Sequence, residues 1–212
     1  MPVFSDPKVE CVFQEYAARA ARENERLGTV GFEGRDAYLL PVGEEAGRFL
    51  ASLIRAKKPG RILEIGTSYG YSTLFLASAA RDVGAELVTL ELIESKQAYA
   101  KEKIEAAGLS AHVEFRLGDA IELIQSDTGG FDFALLDIWK ELYVPSFHAL
   151  YPKLSDEGII AADNMYFPSG VLESTRAYRQ AVQAKSDLQT TLLPIGSGIE
   201  LTCKWSTGSE KL

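Results

Sequence analysis

The chain has 212 residues, 46 % hydrophobic and 25 % charged, which suits one soluble globular domain with a full core. Its formal net charge of −8 argues against a nucleic-acid partner, because phosphate binding needs clustered Lys and Arg. No apolar run approaches the roughly 20 residues that span a bilayer, so no membrane association is expected.

The N-terminus, with Asp6, Lys8 and Glu10, lacks the apolar core of a signal peptide. Cys11 and Cys203 lie far apart with no CxxC spacing, which suits free thiols and a cytoplasmic protein. Ser5-Asp6-Pro7 reads as a helix start, with Pro in the first turn. Val9, Val12, Phe13, Tyr16, Ala17 and Ala20 then recur at helical spacing as far as Leu27. Gly28 to Gly34 is turn-rich. A second helix is expected from Val42 or Gly43 to Lys57, with Phe49, Leu50, Leu53 and Ile54 on one face. Residues 1–58 thus read as a helical cover outside a core at 59–205. Such a cover lies on a sheet face, closes a site or makes a dimer contact, and a homodimer is one expectation.

Pro59-Gly60 introduces the buried strand Ile62, Leu63, Ile65, stopped by Gly66; a helix with Leu74, Leu76, Ala77 and Ala80 follows from Tyr71. Glu86 to Glu91 reads as strand two and Ser95 to Ala107 as its helix, ended by Gly108. His112 to Arg116 is a short alternating strand, followed by Gly118-Asp119 and a helix to Gln125. Phe131 to Asp137 is strand four, Tyr143 to Leu150 a helix, Gly158 to Asp163 strand five, and Val171 to Lys185 an amphipathic helix. Leu188 to Leu193 and Ile199 to Trp205 read as a hairpin around Pro194 to Gly198. The expected fold is α/β, Rossmann-like and doubly wound: one domain with a mostly parallel seven-stranded sheet, an antiparallel C-terminal hairpin strand and extra N-terminal helices.

Ligands of such sheets bind outside the carboxyl ends of the strands. Those ends carry Glu64 and Gly66, Glu91, Asp119, Asp137 with Lys140, and Asp163 with Asn164. Any one of these acids reads equally as a helix cap or a solvated turn; five on one edge do not. Glu91 suits a ribose diol, because a carboxylate accepts from both hydroxyls. That would also suit a nicotinamide cofactor, and an oxidoreductase or a nucleotide-binding module is the competing class. However, Gly66-Thr-Ser-Tyr-Gly70 is G-x-x-x-G and lacks the G-x-G-x-x-G that approaches a pyrophosphate. S-adenosylmethionine, with ribose and adenine but no diphosphate, fits better. Asp137, Asp163 and Asn164 form a hard-oxygen donor set with no His or Cys nearby, which favours Mg²⁺, or Mn²⁺ or Ca²⁺, over zinc. Lys140 lies near enough to take a proton from a group bound there. Against this stands a plain Asp–Lys surface pair beside a capping Asp-Asn.

Leu63 to Ser72, Val88 to Glu91, Gly118-Asp119, Leu136 to Tyr143 and Ala161 to Asn164 together resemble the cation-dependent O-methyltransferases of the catechol and caffeoyl-CoA type. The resemblance implies Mg²⁺ on Asp137, Asp163 and Asn164, with Lys140 as general base. It places S-adenosylmethionine along the segment from Glu64 through Gly66 to Ser72, with Glu91 on the ribose and Asp119 and Ala120 at the adenine. Val42 would lie near the methyl donor, Asp137 at the cofactor edge, and Trp139 between cofactor and acceptor ring. Leu40 and Tyr166, with Tyr38, Leu39, Phe167 and Pro168, would line a pocket for a small phenolic acceptor. The plant caffeoyl-CoA type carries Asp-x-Asp-Lys, whereas Asp137-Ile-Trp-Lys140 has the tryptophan of the animal catechol type. This tilts the expected acceptor towards a free catechol. Glu173 is a candidate for holding the second hydroxyl, against a solvated helix face. His112 and His148 show no partner pattern and read as structural or exposed.

Overall fold

The computed structural model describes residues 2–27, 32–166 and 172–205. Helix α1 spans Pro7–Leu27 and buries Val9, Val12, Phe13 and Tyr16, the stripe read from the sequence. A 3₁₀ turn at Phe32–Ala37 leads to α2, Glu44–Lys57. Strand β1 (Arg61–Ile65) feeds α3 (Tyr71–Val83), and β2 (Glu86–Glu91) feeds α4 (Glu94–Ala106). Then come β3 (Val113–Leu117), α5 (Ala120–Ser126), β4 (Phe131–Leu136) and α6 (Tyr143–Leu150). β5 (Leu154–Ala162), α7 (Leu172–Gln183), β6 (Leu188–Leu193) and β7 (Ile199–Lys204) complete the chain.

The strands form one seven-stranded sheet in the order β3-β2-β1-β4-β5-β7-β6. Neighbours from β3 to β5 are parallel, while β7 runs antiparallel to both β5 and β6. The order reverses between β1 and β4, so their carboxyl ends open a crevice. Two corrections to the sequence reading concern the strand ends. β4 stops at Leu136, leaving Asp137 just beyond the ladder, and β5 begins at Leu154 rather than Gly158. A register shift opposite Phe131 and Phe133 accommodates the polar Ser155-Asp156-Glu157 stretch, which the apolar pattern could not mark as strand.

Side-chain alternation gives each sheet face its own core. On one face Ile62, Leu87, Phe133 and Ala161 pack with α1, α2 and α3; on the other Leu63, Ile65, Leu136 and Ile160 pack with α6 and α7. The N-terminal cover therefore lies on a sheet face: Phe13 meets Phe75 edge-on at 5.7 Å and Tyr16 meets Tyr71 at 5.7 Å. Tyr16 Oη also donates to the Tyr69 carbonyl at 2.6 Å, tying α1 to the turn before α3. Both cysteines are free and exposed. Among the described residues, no helix is long and apolar enough to cross a membrane.

Candidate active site

A cleft of about 680 Å³ opens along the carboxyl edge of the sheet. Its floor is the turn after β1. Gly66 there has φ +105°, and a β-carbon on it would stand 2.1 Å from the Asp137 carbonyl oxygen, so only glycine fits. Ser68 also takes a positive φ, 47°. Its backbone N–H donates to Glu91 Oε2 at 2.7 Å, while Leu92 and Ile93 N–H donate to Oε1 at 3.0 and 2.9 Å. Three backbone donors thus fix the Glu91 carboxylate at the cleft wall, with lone pairs left for a ligand.

Leu40, Gly66, Glu91, Asp119, Ala120, Asp137, Trp139, Lys140 and Asn164, all expected at the site, line this one cleft. Tyr38 lines it too. Asp119 both lines the cleft and caps α5, accepting from Ile121 and Glu122 N–H at 2.9 and 3.0 Å. The cap reading of that residue was therefore also right.

Direct cofactor contacts by Glu64, Ser72 and Val42 are not what the geometry gives. Glu64 alternates onto the α3 face and is 0 % exposed. Its carboxylate accepts from Ser72, Thr73 and Thr89 hydroxyls, each at 2.6 Å. Both Glu64 and Ser72 support the turn from beneath. Burial pushes the Glu64 carboxyl up to about 7, although the three hydroxyls and the nearby charge of Asp137 act on it as well. Val42 is buried in the core on the helical-cover side. Tyr166 is exposed and lies against Gly198, away from the cleft lining. Glu173 is exposed in the first turn of α7, outside the lining. Phe167 and Pro168 lie outside the described residues.

Asp137, in the cleft lining, and Asp163, buried outside it, follow adjacent strands. Asp137 N–H donates to Ile65 O at 3.0 Å, and Asp163 N–H donates to Leu136 O at 3.1 Å. Asp163 is 1 % exposed, and both its carboxylate oxygens are buried without a well-formed hydrogen bond among the described residues. Burial first, then the charge of Asp137, raises its carboxyl pKa, with the adjacent Asn164 N–H and Lys140 opposing. Burial raises Asp137 likewise. Asn164 holds a positive φ of 54° beside them.

Lys140 is buried, and its Nζ donates to Ile138 O at 3.2 Å, to Asn164 Oδ1 at 3.1 Å and to Tyr143 Oη. Asp137 Oδ1 is 4.0 Å away. Burial lowers the Lys140 pKa, opposed by the charges of Asp137, Asp163 and Glu141. No group of three His, Cys, Asp or Glu side chains with metal-holding geometry occurs among the described residues.

Sequence reasoning missed three contributors. Lys96 is buried on the cleft wall and pairs with Asp36 Oδ1 at 2.5 Å, holding the 3₁₀ turn over the cleft. Glu23 accepts from Leu39 N–H at 2.6 Å and braces the same segment. The third is Tyr143, which closes the Leu136-to-Tyr143 segment and opens α6.

Strand order and a cleft at the switch point define a Rossmann-like α/β fold of the methyltransferase type. A sequence profile of the O-methyltransferase family matches residues 28–205. A catechol O-methyltransferase of Mycobacterium tuberculosis is 35 % identical over 159 residues, covering 73 % of this chain and 71 % of that one. A catechol O-methyltransferase of Niastella koreensis is 35 % identical over 139 residues, which span 63 % of this chain and 62 % of that protein's length. The O-methyltransferase of Bacillus cereus, solved in complex with SAH, has a TM-score of 0.74 at 25 % identity, covering 95 % of this chain and 92 % of that one. The chain belongs to the O-methyltransferase family, an enzyme family of S-adenosylmethionine-dependent methyl transfer to oxygen.

Proposed function

We propose that this chain transfers the methyl group of S-adenosylmethionine to one hydroxyl of a small catechol-like acceptor. A divalent cation, Mg²⁺ by donor chemistry, is held by Asp137, Asp163 and Asn164, and Lys140 is the general base. The observation that carries the metal assignment is the buried Asp163 carboxylate, whose oxygens accept no well-formed hydrogen bond among the described residues, beside Asp137 and the Asn164 amide oxygen. A buried carboxylate without a hydrogen bond or cation is costly, so this donor set fits a hard cation.

The residues then divide the work. Glu91, fixed by three backbone N–H groups, accepts the ribose hydroxyls. Gly66 gives the cofactor a close approach to backbone at the turn. Trp139 and Leu40 bound the acceptor ring at the cleft wall. Lys140 Nζ removes the acceptor hydroxyl proton. S-adenosylmethionine supplies a methyl group already activated by its sulfonium. A divalent cation held by Asp137, Asp163 and Asn164 would supply Lewis acidity to the acceptor.

Catechol O-methyltransferases are among the relatives at 35 % identity, and caffeoyl-CoA O-methyltransferases of Nicotiana tabacum among those at 27 %. Together with Trp139 in the Asp137-to-Lys140 segment, this favours a free catechol over a CoA thioester. The test is a methylation assay over catechols and caffeoyl-CoA, with and without EDTA. Catechols should be methylated, EDTA should abolish turnover, and Mg²⁺ should restore it. Turnover indifferent to chelator would overturn the metal assignment, and preference for caffeoyl-CoA would overturn the acceptor.

A further inference from the structure

The side chain packed beneath Lys140 is Tyr143, which opens α6 and is 0 % exposed. Its ring centre lies 4.1 Å from Lys140 Nζ, and its hydroxyl accepts a hydrogen bond from that nitrogen. The same hydroxyl stands 2.9 Å from Asp163 O and 3.1 Å from Leu136 O, and its single proton serves one of them at a time. Tyr143 is itself held edge-on by Tyr178 at 5.6 Å.

As a base Lys140 is the neutral amine, with two N–H donors and one lone pair on a flexible four-carbon stem, and only fixed polar neighbours hold its nitrogen at one point. Those neighbours are Ile138 O, Asn164 Oδ1 and Tyr143 Oη. Tyr143 is the one that also reaches the carbonyls at both strand ends delivering Asp137 and Asp163. We propose that Tyr143 is a positioning residue, whose hydroxyl ties Lys140 Nζ to the ends of β4 and β5 and so sets its reach to the acceptor hydroxyl. The proposal rests on Lys140 being the base. A plain structural role, in which the hydroxyl merely satisfies two buried carbonyls, would act the same whether or not Lys140 is present.

The experiment is a double-mutant cycle of Tyr143→Phe and Lys140→Met. It is read as turnover of catechol with S-adenosylmethionine and Mg²⁺, and as melting of the metal-free protein. Tyr143→Phe keeps the ring and should lower kcat roughly tenfold while leaving the KM for S-adenosylmethionine within about twofold. In the Lys140→Met background it should cause no further loss of kcat and a smaller fall in melting temperature than in the wild type. A slow Lys140→Met variant with an unaffected Tyr143→Phe variant, or with additive losses, overturns the positioning role and leaves the base in place. Unchanged turnover in Lys140→Met overturns the base, and the positioning role with it.

Discussion

Gly66 and Asp137 touch through their backbones: a β-carbon at Gly66 would meet the Asp137 carbonyl oxygen at 2.1 Å and Ile138 Cγ2 at 2.8 Å. Because Asp137 N–H also donates to Ile65 O at 3.0 Å, the turn after β1 and the end of β4 move as one body. The proposed donor site and the proposed metal site therefore share a wall one residue thick.

Gly66→Ala should damage both sites at once. Its positive φ and the backbone clash should cost more than about 1 kcal/mol of stability, since alanine at such a position is strained as well as crowded. Calorimetry should show weaker binding of both S-adenosylmethionine and Mg²⁺. Loss of one alone would separate the two sites.

Glu91→Ala should act on the donor side only. Removing the carboxylate that Ser68, Leu92 and Ile93 N–H groups fix in place should weaken S-adenosylmethionine binding by roughly tenfold or more. Affinity for Mg²⁺, titrated in the absence of cofactor, should stay close to the wild-type value.

Asp163→Asn should make the opposite trade. Replacing a buried carboxyl that accepts no well-formed hydrogen bond among the described residues with a neutral amide should raise the melting temperature of the metal-free protein. The same change should remove the stabilisation that added Mg²⁺ gives the wild type. A lower melting temperature in EDTA would show that the carboxylate has a protein partner.

Glu64 gives a pH signature. Its folded pKa, about 7, lies above the ordinary 4.5, so the folded state holds this proton more tightly than the unfolded state does. The associated stability is fully present below pH 4.5, is lost as pH rises towards 7, and is flat above that. The fall should be on the order of 3 kcal/mol. Glu64→Gln, neutral throughout, should flatten the wild-type slope across that window in urea titrations. An identical slope in both proteins would mean that Glu64 ionises normally.

The local pattern carried much of this protein. Apolar runs stopped by Gly66, Gly118 or an acid marked strand ends, and Glu91, Asp119 and Asp137 at those ends line one cleft because parallel strands deliver their carboxyl ends to one edge. What the pattern could not carry was pairing between distant segments. Glu64 sits at a strand end like Glu91, yet alternation turns it under α3, where hydroxyls from α3 and β2 enclose it. No local spacing links Asp127 to Arg61, which grips it at 2.7 and 2.9 Å, or to Arg116, at 2.5 Å. The Asp36–Lys96 pair joins residues 60 apart. Tyr143 needed the β4–β5 pairing before its hydroxyl had anything to hold.

The cleft has two kinds of wall. Around Gly66 and Glu91 the lining is backbone and a side chain pinned by backbone, so few substitutions there are neutral. Near Lys140 the lining includes Leu40 and Leu142, which are 42 % and 37 % exposed and so carry little of the core. Drift at those two positions would alter which molecule is received without disturbing the machinery that receives it. A lineage built on this scaffold could thus change its acceptor by surface replacements while inheriting its chemistry intact.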